Sequence, residues 1–323
     1  MGKQDLWQSD YFDDKKRFAD MINGAFFKGE QIMDAKELEE ADSKLAHHEK
    51  RGEAVNVIRD KVYKWKGQSV SICVLENQSY VDYRMVFRVM LEEAVSYIKQ
   101  QKKAYKKWKD AGYKFEDDEF LSQMRKDEKY TPVITLILYL GTEQEWDGAK
   151  SLYEILEIRE ELKPFVTDHK LNLFDYHEYK DFSIFKTENR IIFELLSCAK
   201  DKIKMEKIIR ENQYILDKET AKAILGMLGI KVNLNKIMVK TEKGVRYSMC
   251  KAIDDLKESG RCEGRLEGRR EGERETLKKG LEAMINSLKK FSQDIEEIYN
   301  AVTANELYKN VTREQVEKLY HAK

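Results

Sequence analysis

Two apolar runs rich in β-branched residues limit the possible folds of this chain more than any other feature of its sequence. They are Ser69–Leu75 (SVSICVL) and Pro132–Leu140 (PVITLILYL), and each is bounded by a glycine. Apolar runs of this length predict strands. A stretch that favours helix lies between them, from about Val81 to Gln100. The sequence therefore predicts an α/β fold in which helices pack against a sheet.

Three further elements precede the first of these runs. The segment Asp14–Phe27 predicts an amphipathic helix, and Ser43–His48 and Ala54–Asp60 flank a charged turn and predict a β-hairpin. The predicted order is thus helix, three strands, helix, strand, which suggests a mixed sheet. The apolar residues on one face of the first helix are Phe18, Met21, Ile22, Ala25 and Phe26.

The second half of the chain predicts mostly helix, and its composition shifts to Gly, Arg and Glu near Gly260. We therefore expect four regions along the sequence. They are an α/β domain at 1–160, a helical region at 161–243, a Gly/Arg/Glu repeat helix at 244–281 and a short helical tail at 282–323.

Charge by itself does not identify a partner. Charged residues make up 37% of the chain, but Lys+Arg and Asp+Glu both number 59, so the formal net charge is zero. A nucleic-acid contact would need a local basic surface. The four cysteines, Cys73, Cys198, Cys250 and Cys262, are widely spaced, which argues against a structural zinc site and against a disulfide framework.

The first residues are polar and acidic, and the chain has no long apolar run. A signal peptide has an apolar core, and a membrane-spanning helix needs about 20 apolar residues. We therefore expect a cytoplasmic protein with no membrane partner.

Acidic and amide residues follow two of the predicted strands. Asp60 ends one strand, and Glu76 and Gln78 follow the next. If these strands are neighbours, Asp60 can meet Glu76 near their ends, while Glu76 and Gln78 share a face. Two converging carboxylates repel each other unless a cation neutralises them, and hard oxygen ligands favour Mg²⁺. From spacing alone, solvated acids at strand ends remain an equal alternative.

The residues around these acids resemble a known signature. Ile58-Arg59-Asp60 and Val74-Leu75-Glu76-Asn77-Gln78 are similar to the D…(D/E)xK pattern, with glutamine in the lysine position. This variant is typical of the recombination-promoting nuclease/putative transposase family of the PD-(D/E)XK nuclease superfamily. Further resemblance lies in the basic helix with Arg84 and Arg88, in Lys129–Leu136, in Trp146-Asp147-Gly148 and in the Gly-Arg-Glu repeat.

The resemblance implies a restriction-endonuclease-like core, a mixed sheet flanked by helices, followed by a mostly helical C-terminal region. It implies Mg²⁺-dependent cleavage of double-stranded DNA in recombination or mobile elements, with Asp60, Glu76 and Gln78 as catalytic residues. The metal would be held by Asp60, Glu76 and the backbone carbonyl of Asn77. Because Gln78 replaces a cation, an alternative is a weak or inactive nuclease fold that serves as a DNA-binding or assembly module.

Other residues extend the predicted site. Arg84 and Arg88 are spaced i, i+4 on the helix after the acids and could hold a phosphate, although an ion pair with a neighbouring acid is an equal alternative. Asp20 is a possible third acid, with a plain surface position as the alternative. The lysine-rich stretch Lys99–Lys109 could contact the DNA backbone or be a solvated helix face.

A regular glycine pattern marks the C-terminal third. Its members are Gly260, Gly264, Gly268, Gly272 and Gly280. Each interior glycine costs a helix about 1 kcal/mol relative to alanine. A second helix could use the close approach that glycine permits, so we expect a homodimer through Gly260–Gly280. A flexible charged linker is the alternative.

Overall fold

The computed structural model describes residues 11–41, 44–48, 54–58, 61–75, 81–242 and 244–321, of which 44–48, 54–58 and 68–75 are described by their backbone. The chain divides into two compact units, residues 1–253 and residues 254–323. Among the described residues no helix combines the length and apolar character that crossing a membrane requires.

The first unit begins with the elements of an α/β fold. They are α1 (Lys15–Phe27), β1 (Leu38–Glu40), β2 (Lys44–His48), β3 (Ala54–Ile58), β4 (Lys61–Trp65), β5 (Gln68–Leu75), α2 (Met85–Asp110), α3 (Asp117–Ser122), β6 (Val133–Tyr139) and β7 (Asn172–Asp175). Short 3₁₀ turns lie at Ala35–Glu37, Leu152–Glu154, Glu160–Phe165 and Tyr176–Glu178.

The central sheet has the strand order β1-β4-β5-β6-β7 among the described residues. Strand β4 pairs antiparallel with β1 and β5, whereas β5, β6 and β7 are parallel. Lys66 and Gly67 connect β4 to β5 with positive φ angles of 49° and 82°. Two successive positive φ values suit a two-residue hairpin turn, because its twist matches that of the flanking strands.

Strand β6 is the most buried strand that the structure describes, which explains its nearly continuous apolar sequence. On one face, Leu136 and Leu138 belong to a cluster that includes Phe18 of α1. On the other, Ile137 and Tyr139 pack with residues of the α2 segment. The members of this second cluster are Val81, Met85, Val89, Ile137, Tyr139 and Trp146. Helices on both faces thus hold the sheet, as the sequence predicts.

Helix α1 shows why the first predicted helix is stable. The Asp14 carboxylate accepts a hydrogen bond from the backbone N–H of Lys16 (2.7 Å) and caps the helix. Phe18 then packs edge-on against Tyr63 of β4, with ring centroids 4.6 Å apart. The apolar face of α1 therefore covers one face of the central sheet.

Three strands of this sheet, β1, β4 and β7, were not predicted from the sequence. The predicted hairpin forms as β2 and β3, but these two strands make a separate sheet. The neighbour of β5 is instead β4 (KVYKW), which lies between the two predicted strands. Strand β7 adds a fifth strand beyond residue 160. The sheet therefore includes a strand on each side of residue 160.

The rest of the first unit is mostly helical, as expected, with a small sheet added. Its helices are α4 (Asn189–Leu196), α5 (Lys202–Asn212), α6 (Lys218–Met227) and α7 (Leu234–Ile237). Its strands β8 (Ile215–Leu216), β9 (Met238–Thr241) and β10 (Gly244–Ser248) form a sheet in the order β8-β10-β9. Side chains from these elements join the α1 cluster, so they share one core with the central sheet.

Helix α8 (Met249–Leu288) begins in the first unit and ends in the second. Helices α9 (Ile295–Thr303) and α10 (Arg313–His321) follow it. In the second unit the end of α8 packs with α9 and α10 through a small apolar cluster that includes Ile285, Val302 and Val316. The described chain after residue 249 is therefore mostly helical.

Candidate active site at the carboxyl edge of the central sheet

The carboxyl ends of three neighbouring parallel strands lie in register. Leu75 at the end of β5 is paired with Tyr139 of β6, and Tyr139 is paired with Asp175 at the end of β7. Strand β4 runs in the opposite direction, and its first residue, Lys61, is paired with Ile72 of β5. The start of β4 and the ends of β5, β6 and β7 therefore lie along one edge of the sheet.

The predicted catalytic and metal-binding residues Asp60, Glu76, Asn77 and Gln78 lie outside the described residues. Asp60 directly precedes Lys61, and Glu76 directly follows Leu75. Their predicted roles consequently stay predictions. What the structure does establish is that the two strand ends from which these residues continue belong to neighbouring strands.

Arg84 and Arg88, the predicted phosphate ligands, converge on one acid. The Nε of Arg84 donates to Oδ1 of Asp82 (3.1 Å), and Nη1 of Arg88 donates to Oδ2 (3.0 Å). The Asp82 side chain is 13% exposed, whereas those of Arg84 and Arg88 are 78% and 43% exposed. A largely covered carboxylate thus holds two outward-facing guanidinium groups. The ion pair that the sequence left open forms with Asp82.

The pKa of Asp82 reflects this arrangement. Its burial acts to raise the pKa, but hydrogen bonds from the side chain and backbone of Arg84 and from the side chain of Arg88 lower it, and the net shift is downward. Asp82 is therefore ionised at neutral pH. The two arginines therefore share Asp82 as a charged hydrogen-bond partner.

The loop after β6 packs beside the start of α2. The hydroxyl of Tyr83 donates to Oδ2 of Asp147 (3.2 Å), and this carboxylate raises the pKa of Tyr83. Trp146 is buried against the ring of Tyr139, with centroids 5.4 Å apart. Its Nε1–H makes no hydrogen bond to the residues that the structure describes. This loop therefore fixes an acid, Asp147, close to the Arg84 segment.

Asp175 and His177 form a second polar pair at this edge. Oδ1 of Asp175 lies 2.6 Å from Nδ1 of His177 and also accepts from the His177 backbone N–H (3.0 Å). Its Oδ2 accepts from the backbone N–H of Trp146 (2.8 Å). The Asp175 side chain is 2% exposed and that of His177 is 20% exposed. Asp175 thus ties the loop after β6 to the turn after β7.

Asp20, the possible third acid, is not on the surface. It is buried at 2% exposure. Its carboxylate accepts hydrogen bonds from the backbone N–H groups of Lys186 and Thr187, from the Thr187 hydroxyl and from the Asn189 side chain. These bonds link α1 to the start of α4. The surface alternative is therefore wrong, and the observed contacts of Asp20 are structural.

The lysine-rich stretch forms the last turns of α2. Its aromatic residues pack within the chain: Nε1 of Trp108 donates to Oε2 of Glu128 (2.7 Å), and the guanidinium of Arg125 lies 4.1 Å from the Trp108 ring centroid. Lys102, Lys103, Lys106, Lys107 and Lys109 are exposed. Trp108 therefore serves the fold, and the lysines of this stretch lie on its exposed side.

Within the part of the chain that the structure describes, no group of three or more His, Cys, Asp or Glu side chains could hold a metal ion. The predicted ligands lie outside that part. Sequence reasoning also missed three residues of this edge, Asp82, Asp175 and His177, and it named Asp147 only as part of a turn that resembles the family. The only sequence signal for Asp175 and His177 was an acid at a strand end with a histidine two positions later.

No curated protein and no solved structure matches the sequence. The family model described as "Putative transposase, YhgA-like" matches residues 30–223. This range contains the whole carboxyl edge of the sheet, together with Asp60, Glu76 and Gln78, but neither Asp20 nor the glycine pattern. Since the match covers more than half of the 323 residues, the chain belongs to the YhgA-like transposase family.

Proposed function

We propose that this chain is a magnesium-dependent DNA endonuclease of the PD-(D/E)XK type that hydrolyses phosphodiester bonds in double-stranded DNA. The observation that carries the proposal is the pairing of β4 with β5, because Asp60 and Glu76 continue from adjoining ends of these two strands. Membership of a transposase family points to a role associated with mobile elements or recombination. The two arguments are independent, since one comes from strand pairing and the other from sequence similarity.

Asp60, Glu76 and the backbone carbonyl of Asn77 would hold the magnesium ion. Carboxylate and carbonyl oxygens are the donors that Mg²⁺ prefers, so the donor set fits this metal. When bound, the ion would lower the pKa of a coordinated water and neutralise charge on a phosphate. Gln78 can orient the water or a phosphate oxygen by hydrogen bonding, but its amide cannot take a proton.

Arg84 and Arg88 would bind the phosphate backbone of the substrate. Their side chains are 78% and 43% exposed on the segment that follows Glu76 and Gln78 in the chain, and both donate to Asp82. Charge-assisted bonds from arginine to phosphate are strong, and they position the strand without reading its sequence. The exposed lysines of Lys99–Lys109 would add a non-specific contact farther along α2.

A homodimer through Gly260–Gly280 would supply two sites for cutting both strands. Residues 260–279 are exposed. A Cβ on Gly260, Gly264, Gly268 or Gly272 would meet no described atom within 4 Å, so packing within the chain does not explain these four glycines. Gly280 differs, because a Cβ there would meet the Tyr308 hydroxyl, which would have to shift. The proposed contact therefore uses Gly260–Gly272.

Plasmid cleavage tests the proposed activity. We expect the purified full chain to nick and linearise supercoiled plasmid with Mg²⁺ and to lose this activity in EDTA and in Glu76→Ala. The alternative, a nuclease fold that serves as a DNA-binding or assembly module, is favoured by Gln78 in the lysine position. DNA binding without Mg²⁺-dependent cleavage would support that alternative and refute the nuclease.

A further inference from the structure

Exposed aromatic and cationic side chains alternate where α2 begins. Tyr83 and Phe87 are 61% and 52% exposed, and the side chains of Arg84 and Arg88 are 78% and 43% exposed. Each ring directly precedes an arginine, and the pair repeats after four residues, about one helical turn. Single exposed apolar residues are normal on a protein surface, whereas rings that recur with cations at this spacing form one surface that a ligand can cover.

Packing within the chain uses other residues of α2. Met85 and Val89 pack toward β6. Near the other end of the helix, the ring centroid of Tyr105 lies 4.8 Å from that of Phe115. Phe87 is instead half exposed. Core packing therefore explains the apolar side of α2 that meets the sheet but does not explain why an aromatic residue stands at Phe87.

Tyr83 is positioned before any ligand binds. Its hydroxyl donates to Oδ2 of Asp147 (3.2 Å), while most of its surface stays exposed. A side chain that is already held loses less conformational entropy on binding than a mobile one. Asp147 bonds to the hydroxyl end of the ring, and an uncharged base stacked on the ring face brings no charge that this acid would repel.

The charge of α2 favours an anionic ligand. Met85–Asp110 contains seven Lys or Arg and three acids, and one of these acids, Glu92, is buried. Asp82, which precedes the helix, is 13% exposed and is bonded to Arg84 and Arg88. A second copy of α2 would meet like charges, so pairing of two such helices is disfavoured. A polyanion gains from the same charges.

Exposed rings beside cations select nucleic acid whose bases are unpaired. In a duplex the bases stack on one another, so a ring on a protein surface does not reach their faces. In a single strand the base faces are open, and bases stack on aromatic side chains with little dependence on sequence. Guanidinium groups next to the rings can bond to the phosphates of the same strand.

We propose that the surface formed by Tyr83, Arg84, Phe87 and Arg88 binds single-stranded DNA, with bases stacked on the two rings and phosphates bonded to the two arginines. The phosphate contacts rest on the proposed function, whereas base stacking and the preference for unpaired strands go beyond it. Membership of a transposase family favours DNA over RNA. The substrate class is therefore DNA that contains an unpaired segment.

Fluorescence anisotropy in EDTA, where cleavage is blocked, tests this surface on the full chain. The probes are an oligothymidine of about 12 nucleotides, the same strand paired with its complement, and an abasic strand of equal length. At equal salt, we expect the oligothymidine to bind at least about 10-fold more tightly than either of the other two.

Variants separate the rings from the charges. Tyr83→Leu and Phe87→Leu keep an apolar side chain but remove the ring. Each should weaken binding of the oligothymidine about 5- to 100-fold and leave binding of the abasic strand unchanged. Tyr83→Phe keeps the ring and should keep most of the affinity. Arg84→Gln and Arg88→Gln should each reduce the slope of log affinity against log salt by about 0.7.

Phe120→Ala is the matched control for the ring variants. Phe120 is as exposed as Tyr83, at 61%, but it follows Asp117 and Asp118 on the acidic helix α3. A strand bound at Tyr83 and Phe87 does not need this ring. Phe120→Ala should therefore bind all three probes as the wild type does.

Equal affinity of the wild type for the single strand and the duplex would overturn the inference. Ring variants that lose the abasic strand as strongly as the oligothymidine would also overturn it, since they would show a structural effect. Tighter binding of an oligouridine than of the oligothymidine would overturn the assignment to DNA. If Phe87→Leu kept single-strand affinity but changed the molar mass in light scattering, the surface would be a protein contact.

Cleavage is measured separately from binding, so the two proposals can fail separately. A chain that prefers single strands but does not cut DNA with Mg²⁺ would keep this inference and refute the nuclease. A chain that cuts DNA without this preference would keep the nuclease and refute this inference.

Discussion

Lys61, the first residue of β4, is the Cα partner of Ile72 in β5, which ends at Leu75 on the same edge of the sheet. The chain before Lys61 and the chain after Leu75 therefore belong to adjoining strand ends. Asp60 directly precedes one of these strands and Glu76 directly follows the other, although sixteen positions separate them in sequence. It is the basis of the first two predictions.

Asp60→Ala or Glu76→Ala should lower Mg²⁺-dependent plasmid cleavage by at least about 100-fold. Each change removes a metal ligand. The remaining acid is relieved of repulsion, so the free energy of unfolding in the absence of metal should stay equal or rise. Gel-resolved cleavage and urea denaturation measure the two effects. Either variant cleaving at the wild-type rate would refute the site.

Gln78→Lys should keep or increase the cleavage rate. The change introduces the residue that is commoner in the PD-(D/E)XK superfamily and adds a positive charge beside the scissile phosphate. Initial rates of plasmid cleavage with Mg²⁺ compare the two chains. Complete loss of cleavage in a folded variant would show that the Gln78 amide makes contacts that an ammonium group cannot replace.

Asp82→Asn should destabilise the chain at neutral pH by up to about 1 kcal/mol, since both arginine partners are exposed. The pKa of Asp82 is lower in the folded chain than its ordinary value. Its stabilising contribution is therefore present above the unfolded pKa of about 3.9 and is lost as pH falls through the folded value.

Urea denaturation of wild type and Asp82→Asn at pH 7 and at successively lower pH measures this effect. The difference in free energy of unfolding between the two chains should shrink in the acid range, below about pH 4. Asp181→Asn is a comparison, because that acid also has a lowered pKa but its hydrogen bonds come from Ser183. If the loss of unfolding free energy caused by Asp82→Asn became larger as the pH was lowered, that result would contradict the assigned ion pair.

Asp20→Ala should lower the free energy of unfolding by about 2–4 kcal/mol, because it removes the buried acceptor of hydrogen bonds from Lys186, Thr187 and Asn189. Among these, the Asn189 side chain is itself 1% exposed. Thermal or urea unfolding measures the change. Mg²⁺-dependent cleavage below the unfolding transition should persist. A stable variant without cleavage would instead restore Asp20 as a third acid.

Gly264→Ala with Gly268→Ala should act in opposite directions on the helix and on the dimer. Alanine favours helix over glycine by about 1 kcal/mol at each position, and the two Cβ atoms meet no described atom, so helical content should rise. The same atoms would block close approach of a second helix, so light scattering should show a shift toward monomer.

Gly280→Ala provides the control for this pair of changes. It should destabilise the C-terminal unit through the Tyr308 contact without acting on the proposed Gly260–Gly272 interface. A wild-type chain that is monomeric over the whole concentration range would show that the segment is a charged helix without a helical partner.

The sequence determined the elements whose signal is local. Helix α1 has an acidic cap and an apolar face, β6 is a long apolar run, and α2 is a long amphipathic stretch, so composition and periodicity predict each of them. The closeness of Arg84 and Arg88 was also predictable, because residues four apart share a helix face. Family resemblance was visible in the order of acids and strands, and the family match confirms it.

Tertiary structure decided what depends on pairing between distant segments. Strand β4 has only five residues, and the two-residue turn after it is its main sequence signal. Its place beside β5 is set by backbone hydrogen bonds between the two strands. Asp20 changes from a possible surface acid to a buried one because residues far along the chain supply its donors. Asp175 and His177 gain their significance only when β7 joins β6 in register. Local sequence patterns do not encode such contacts, since each depends on which surfaces the folded chain brings together.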